Sequence, residues 1–360
     1  MNAKTSDQSS QNKSKIASNN DKTCVFITGA SGFIAKHCII RLLNAGYEVR
    51  GSVRTLSRSK EVNNAIRPHA SLEKLSFVAL DLSKDEGWEE ALLGCSYLLH
   101  IASPFPNSVP KHEDDLIIPA RDGVLRALSA AAKAGVKRTV LTSSMAAIAY
   151  GHKDAETRVF TEDDWSDISG PVSAYVKSKT IAERAAWDFI ESEAANGMEL
   201  SVINPGAVLG PVLDVKYSTS GELVKKLINR EAPACPQIGF SLIDVRDVAE
   251  AHIQAMIRPE AAGLRFFCIN EFAWMIDVSK TLFAAGYKTP QKRLPNVLVS
   301  LLAMFDKTIA LIKPELGVKI VGDNSRMKSV LGIEPRSLSE MSVSMADSMV
   351  KYGVVNVSKR

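Results

Sequence analysis

The stretch Cys24-Val25-Phe26-Ile27-Thr28-Gly29-Ala30-Ser31-Gly32-Phe33-Ile34-Ala35 decides the fold. Residues 24–28 are apolar or β-branched without alternation, as expected of a strand buried on both faces of a parallel sheet. Glycine follows at 29 and 32, and a helical pattern then runs over 32–45. Gly29 permits a tight turn. Gly32 lets backbone amides approach a pyrophosphate at the positive end of the next helix. Ser31, Phe33 and Ile34 complete the loop, and Ala35 is the small residue where helix meets strand. A lone Gly-x-x-Gly says little, but between an apolar strand and an amphipathic helix it predicts a dinucleotide loop.

Outward from this loop, strand patterns recur at 48–53, 75–79, 97–101, 138–142, 200–204 and 265–269. Helical patterns lie between them near 57–67, 85–93, 113–134 and 172–196. Glycines 46 and 135 close two of the helices. The alternation predicts an α/β fold, a doubly wound parallel Rossmann sheet with right-handed crossovers. A dinucleotide-binding domain is expected over 23–206. From 207 to 360 the pattern is irregular and richer in Pro and Met, predicting a smaller, mainly helical substrate lobe. The strand near 265–269 is expected to return to the sheet. Residues 1–22 are mostly Ser, Asn, Lys, Gln and Asp, too polar to offset their ordering entropy, and are expected to form a disordered tail.

Composition narrows the class. The 360 residues are 46% hydrophobic and 23% charged, which excludes a disordered, collagenous or disulfide-scaffold protein. A net charge of +4 from 44 basic and 40 acidic residues argues against a nucleic-acid binder. No apolar run is long enough to span a membrane. The five cysteines are odd in number and scattered, and predict reduced thiols in a reducing, cytoplasmic setting. The six histidines show no ligand spacing, so no metal site is expected.

The second strand ends Gly51-Ser52-Val53-Arg54-Thr55-Leu56-Ser57-Arg58-Ser59-Lys60. An acid here would hold the adenosine ribose of NAD, and none is present. Arg54, with Arg58 or Lys60, suits a 2′-phosphate instead. The expected cofactor is therefore NADP(H) rather than NAD(H).

Tyr175-Val176-Lys177-Ser178-Lys179 places a phenol and an ammonium four residues apart, on one face of a helix. An ammonium beside a phenol favours the phenolate, which brings a weak acid closer to use near neutral pH. The fifth strand runs into Thr142-Ser143-Ser144, at the carboxyl edge where ligands bind in open α/β sheets. A serine hydroxyl there is placed to donate to the carbonyl oxygen that the tyrosine protonates.

With these residues the chain resembles the short-chain dehydrogenase/reductase superfamily in its extended form, from about Lys22 to about Asn270. Thr28-Gly29-x-x-Gly32-x-x-Ala35, Ser144 and Tyr175-x-x-x-Lys179 carry the resemblance. Narrower features resemble the branch of dihydroflavonol 4-reductases and yeast-type carbonyl (methylglyoxal) reductases. These are His100-Ile101-Ala102-Ser103-Pro104-Phe105, Glu162-Asp163-Asp164-Trp165-Ser166-Asp167 and Ala182-Glu183-Arg184-Ala185-Ala186-Trp187-Asp188-Phe189. The spacing to the tyrosine in that branch selects Ser144 over Ser143. The resemblance further implies that Asp81 and Leu82 hold the adenine, that Ala102 and Ser103 line the dinucleotide, and that Pro205 flanks the nicotinamide. A helix position often held by Asn in the superfamily is Asp122 here.

The function expected is an NADPH-dependent reduction of an aldehyde or ketone, with Tyr175 as proton donor, Lys179 on the nicotinamide ribose and Ser144 on the developing alkoxide. The partner is a small carbonyl compound, and the enzyme a monomer or homodimer. A sugar-nucleotide dehydratase would need an acid/base pair where Met145 and Ala146 stand. A sugar-nucleotide epimerase or hydroxysteroid dehydrogenase uses the same three residues and stays open. A non-catalytic dinucleotide sensor typically lacks the tyrosine or lysine.

Overall fold

The computed structural model describes residues 22–103, 112–302 and 315–359. All but Lys22 of the expected tail, and Pro104 and Phe105 of the branch motif, lie outside the described residues. Seven strands form the central sheet: β1 (Cys24–Ile27), β2 (Glu48–Val53), β3 (Leu75–Ala79), β4 (Cys95–His100), β5 (Arg138–Thr142), β6 (Glu199–Pro205) and β7 (Arg265–Cys268). Their order is β7-β6-β5-β4-β1-β2-β3. The ladders β1/β2, β1/β4, β2/β3 and β4/β5 are parallel. Bonds from Glu199 N–H to Lys137 C=O and from Ser143 N–H to Ile203 C=O carry the same direction into β6. Bonds from Val202 to Leu264 and from Gly206 to Cys268 carry it into β7. Strand order reverses between β1 and β4, the switch point at which doubly wound sheets open a crevice.

Local sequence explains the elements. Val25, Phe26 and Ile27 in β1 are completely buried, so their continuous apolar run meets core on both faces. Helix α1 (Phe33–Asn44) buries Ala35, Cys38, Ile39 and Leu42, the three-and-four spacing of one helical face. The short α2 (Ser59–Ile66) buries Val62, Ala65 and Ile66 in the same way. Helix α3 (Trp88–Leu92) anchors Trp88 in the core, and the indole N–H donates to Lys84 C=O. Helix α4 (Asp114–Lys133) shares one apolar cluster with Phe26, Leu98 and Leu141 through Ala120, Val124, Ala127, Leu128 and Ala131. Helix α5 (Ala174–Glu191) contributes Ala182 and Ala186 to that cluster.

Three helices are shorter than their patterns. The 57–67 stretch divides into a 3₁₀ turn, Leu56–Arg58, and α2. The 85–93 stretch contracts to α3 because a turn at 81–84 precedes it, closed by the Asp81 side chain on the Ser83 N–H. The 172–196 stretch ends at Glu191, with a separate 3₁₀ turn at Glu193–Ala195.

The chain divides into two compact units that interleave along the sequence, whereas the pattern suggested a cut after Gly206. One holds the described residues up to Thr142 with Ile181–Val202 and His252–Leu264. The other holds Ser143–Thr180, Ile203–Ala251 and the described residues from Arg265 onward. The second contains a three-stranded sheet of Ala207–Leu209, Gly239–Asp244 and Phe272–Trp274, and a short pairing of Val159–Phe160 with Val321–Gly322. Helices Gly221–Asn229, Met275–Ala284 and Leu338–Lys351 belong to the same unit. Among the described residues no helix is long and apolar enough to cross a membrane.

Candidate active site

In the first unit, the loop after β1 is built by close backbone approach. Gly29 has φ +66°, and a Cβ on it would lie 2.9 Å from the Ala102 Cβ. Only glycine fits such a position without strain. Gly32 N–H donates to Gly29 C=O at 2.8 Å and closes the turn, and Gly29 N–H donates to Ser52 Oγ at 3.0 Å. Gly32 caps α1 with no side-chain hydrogen bond, and the first turn of α1 holds no acid. The helix therefore presents its positive end uncapped, in a cradle that a side chain would fill. Ser31, Phe33 and Ile34 are half-buried around it. This cradle fits a pyrophosphate.

Thr28 ties the loop to the end of β4. Its Oγ1 accepts the N–H groups of Ile101 and Ala102, each at 3.0 Å, and lies 3.1 Å from His100 Nδ1. With two donations already accepted, the hydroxyl donates its own proton to the imidazole, so Nδ1 of His100 is the acceptor. Ala102 and Ser103 follow directly and are half-buried.

The other residues expected at the dinucleotide divide. Arg54 stands exposed immediately after β2. Lys60 is exposed on α2, and Arg58 Nε lies 4.0 Å from the Glu61 carboxylate. Asp81 is occupied by its own turn, accepting from Ser83 N–H at 3.0 Å and Ser83 Oγ at 2.8 Å. These bonds hold its carboxyl below the usual range. The Leu82 carbonyl accepts from the Arg126 guanidinium at 2.6 Å. Asp122 pairs with Arg121 at 2.8 Å.

In the second unit, Ser144 and Tyr175 come together. Ser144 follows the carboxyl end of β5 and caps the 3₁₀ turn Met145–Ala147, its Oγ accepting the Ala146 N–H at 3.1 Å. Tyr175 is the second residue of α5, and its hydroxyl lies 3.5 Å from Ser144 Oγ. Lys179 is one turn further, with Nζ 5.9 Å from the centre of the Tyr175 ring. Tyr175 and Lys179 are half-buried, whereas Val176 and Thr180 face the core. Thr180 Oγ1 donates to Val176 C=O at 2.9 Å on the buried side. Pro205 ends β6 and is buried. Among the described residues no group of His, Cys, Asp or Glu has metal-binding geometry.

Two supporting residues escaped the sequence reading. Ser166 donates to Ala146 C=O at 2.8 Å and accepts the Tyr150 N–H at 2.9 Å, bracketing the turn that carries Ser144. Asn204 donates to Ser144 C=O at 3.2 Å. Ser166 lies inside the motif 162–167, whose other members are also structural. Glu162 accepts from Phe267 N–H at 3.0 Å, and the Arg265 guanidinium stacks 3.9 Å above the Trp165 ring. Asp164 accepts the Thr161 N–H at 2.8 Å.

Comparison with known proteins gives the family. Residues 25–266 match the model of the NAD dependent epimerase/dehydratase family. Cinnamoyl-CoA reductase CAD2 of Medicago truncatula is 36% identical over 272 residues, covering 74% of this chain and 82% of that one. NADPH-dependent methylglyoxal reductase GRE2 of Saccharomyces cerevisiae is 33% identical over 351 residues, covering 91% of this chain and 98% of that one. The crystal structure of yeast methylglyoxal/isovaleraldehyde reductase Gre2 complexed with NADPH superimposes with a TM-score of 0.77 at 30% identity, covering 92% of this chain and all of that one. A glycine cradle after the first strand, a serine beside a tyrosine, and a lysine one helical turn on thus stand in a chain that belongs to the NAD dependent epimerase/dehydratase family, the extended short-chain dehydrogenases/reductases.

Proposed function

We propose that this chain is an NADPH-dependent oxidoreductase that reduces the carbonyl of a small aldehyde or ketone to an alcohol. The observation that carries the reading is the Tyr175 hydroxyl beside Ser144 Oγ, with Lys179 on the same helical face. Similarity to NADPH-dependent and cinnamoyl-CoA reductases over most of the chain supports the same reaction class.

Bound NADPH supplies the hydride. The backbone at Gly29, Ser31, Gly32, Phe33 and Ile34 holds its pyrophosphate, and Arg54 takes the 2′-phosphate as a charged hydrogen-bond donor. Lys60 sits in the same exposed basic stretch and adds a second positive charge. Leu82 and Asp81 border the adenine; because the Asp81 carboxylate is engaged with Ser83, its part is to shape the turn. Ala102, Ser103 and Pro205 line the dinucleotide through backbone and small apolar surface.

Tyr175 donates its phenolic proton to the substrate oxygen. Ser144 donates its hydroxyl proton to the same oxygen as a hydrogen bond, since its lone pair already accepts the Ala146 N–H. Lys179 offsets the charge left on the phenolate and holds the nicotinamide ribose.

Spectrophotometry with added NADPH and a panel of aldehydes, diketones, ketoesters and a dihydroflavonol tests the reading. Absorbance is expected to fall only when a carbonyl compound is present, and dialysed protein to retain little nucleotide. Stoichiometric NAD surviving dialysis would overturn it in favour of an epimerase. NADPH bound without turnover across the panel would indicate a sensor.

A further inference from the structure

Two of the five thiols face each other away from the site described above. Cys24 opens β1 and Cys95 opens β4, at the amino ends of strands whose carboxyl ends carry the dinucleotide loop. The ladder between them slips by one residue: Cys24 pairs with Cys95, but Val25 pairs with Tyr97. Ser96 is the extra residue, and in unbroken register Cys24 would stand opposite its hydroxyl. The slip instead sets the two Sγ atoms 3.2 Å apart. Neighbouring strands lie about 4.8 Å apart, inside the Cα separation of about 4.4–6.8 Å that a disulfide spans. Both side chains belong to one apolar cluster with Trp88, Ala91 and Leu92.

The pair is chemically asymmetric. A hydrogen bond from Cys95 holds the Cys24 thiol below its usual range, and the Arg50 guanidinium adds to the effect. The same bond, with burial, pushes Cys95 up. Arg50 is fixed in place by bonds to the carbonyls of Ala91 at 2.8 Å and Leu93 at 2.9 Å. Either sulfur can donate in the 3.2 Å contact, and the directions of the shifts favour Cys24 as the one that ionises. The other three thiols lack such a partner sulfur: burial alone dominates at Cys38, Cys235 and Cys268 and pushes each up.

We propose that Cys24 and Cys95 form a dithiol that a small hydroperoxide oxidises to a disulfide. The Cys24 thiolate attacks one oxygen of hydrogen peroxide, the O–O bond breaks, and hydroxide leaves, giving a sulfenic acid. Cys95 then gives up its proton as its sulfur attacks Cys24; the S–O bond breaks and water leaves. Two thiols lose two electrons and two protons, and one peroxide becomes two waters. Cys24 is 7% and Cys95 4% exposed, so the oxidant proposed is a small hydroperoxide rather than glutathione disulfide. The bond joins residues 71 apart in sequence, restricting the unfolded chain, so the oxidised protein unfolds at a higher temperature.

The test treats fully reduced protein with dilute hydrogen peroxide, removes the peroxide, alkylates with N-ethylmaleimide in denaturant, and measures intact mass and a non-reducing peptide map. The expected product has lost two hydrogens, carries a single Cys24–Cys95 cross-linked peptide, and has Cys38, Cys235 and Cys268 alkylated. In Cys95→Ser, dimedone is expected to trap a sulfenic acid on Cys24. No mass loss under conditions that leave the methionines unoxidised overturns the proposal, as does a cross-link between any other cysteines. The wild-type map decides this whether or not the variant folds. A melting temperature lowered by oxidation overturns the stabilising role.

Discussion

The Tyr175 phenol oxygen lies 3.5 Å from Ser144 Oγ, at the long limit of a hydrogen bond, while Ser144 already accepts the Ala146 N–H at 3.1 Å. The phenol donates that long bond, so Ser144 Oγ accepts from both groups and keeps its own proton for a further acceptor. In the proposed reaction a carbonyl oxygen bound against the two hydroxyls exchanges one long contact for two donations. That exchange is the gain in the transition state, when charge collects on the oxygen.

Tyr175→Phe removes the hydroxyl proposed as proton donor and leaves the ring in place. Turnover is expected to fall by about 10² or more, the usual loss when a general acid is deleted. Circular dichroism and NADPH binding are expected to match wild type. A variant that keeps most of its kcat would take Tyr175 out of the reaction.

Ser166→Ala tests the support beneath Ser144. The substitution strips the Tyr150 N–H of its acceptor and leaves the Ala146 carbonyl with only the longer Thr180 Oγ1 donation at 3.4 Å. Leaving such an N–H unpaired costs about 1–3 kcal/mol. Stability is expected to drop by that order, and kcat to fall while KM for NADPH stays near wild type. Equal loss in both kinetic constants would mean that the residue supports the fold generally rather than this turn.

The glycine loop and the Tyr175/Lys179 pair were legible in the sequence because each is local. A turn between strand and helix, and two residues one helical turn apart, need no knowledge of the rest of the chain. Asp81 was half legible: the type of residue was visible, and so was Ser83 two positions on, whose hydroxyl and N–H occupy the carboxylate. Ser166 and Asn204 were not, since their bonds to Ala146 and Ser144 span 20 and 60 residues of sequence. Only the folded sheet brings those strand ends together. The short α3 misled for a local reason, as the pattern over 85–93 does not reveal that the Asp81 turn delays the helix to Trp88.

In the proposed cofactor site Arg54, which stands exposed at the end of β2, reads the 2′-phosphate. Arg54→Ala is expected to weaken NADPH by about ten- to a hundredfold, the worth of one charged hydrogen bond, and to leave NADH nearly unchanged. Titration of both coenzymes against the variant checks this. Equal weakening of the two would show that Arg54 does not read the phosphate. Lys60→Ala is expected to cost less, because a second exposed positive charge acts through screened attraction.

Glu162 makes stability depend on pH in a direction that can be worked out in advance. It is 4% exposed, accepts the Phe267 N–H at 3.0 Å, and has its second oxygen 3.8 Å from Arg326 Nε. Burial raises its carboxyl above the ordinary 4.5, outweighing the Phe267 bond and Arg326, which pull the other way. The folded protein therefore holds a proton that the unfolded chain has already released, in the window just above 4.5. There the native state binds more protons, so stability falls as pH rises through the folded value and is fully retained below the unfolded one. Glu162→Gln keeps an oxygen for the Phe267 N–H and removes the titration. Asp247 is raised by burial too, but it is present in both proteins and cancels in their difference. Melting temperatures of wild type and variant are expected to diverge as pH rises from the ordinary 4.5 through the folded value, the wild type losing ground to the variant, and to run parallel above it. A difference that stays flat, or moves toward the wild type, would mean that Arg326 stabilises the carboxylate more than burial opposes it.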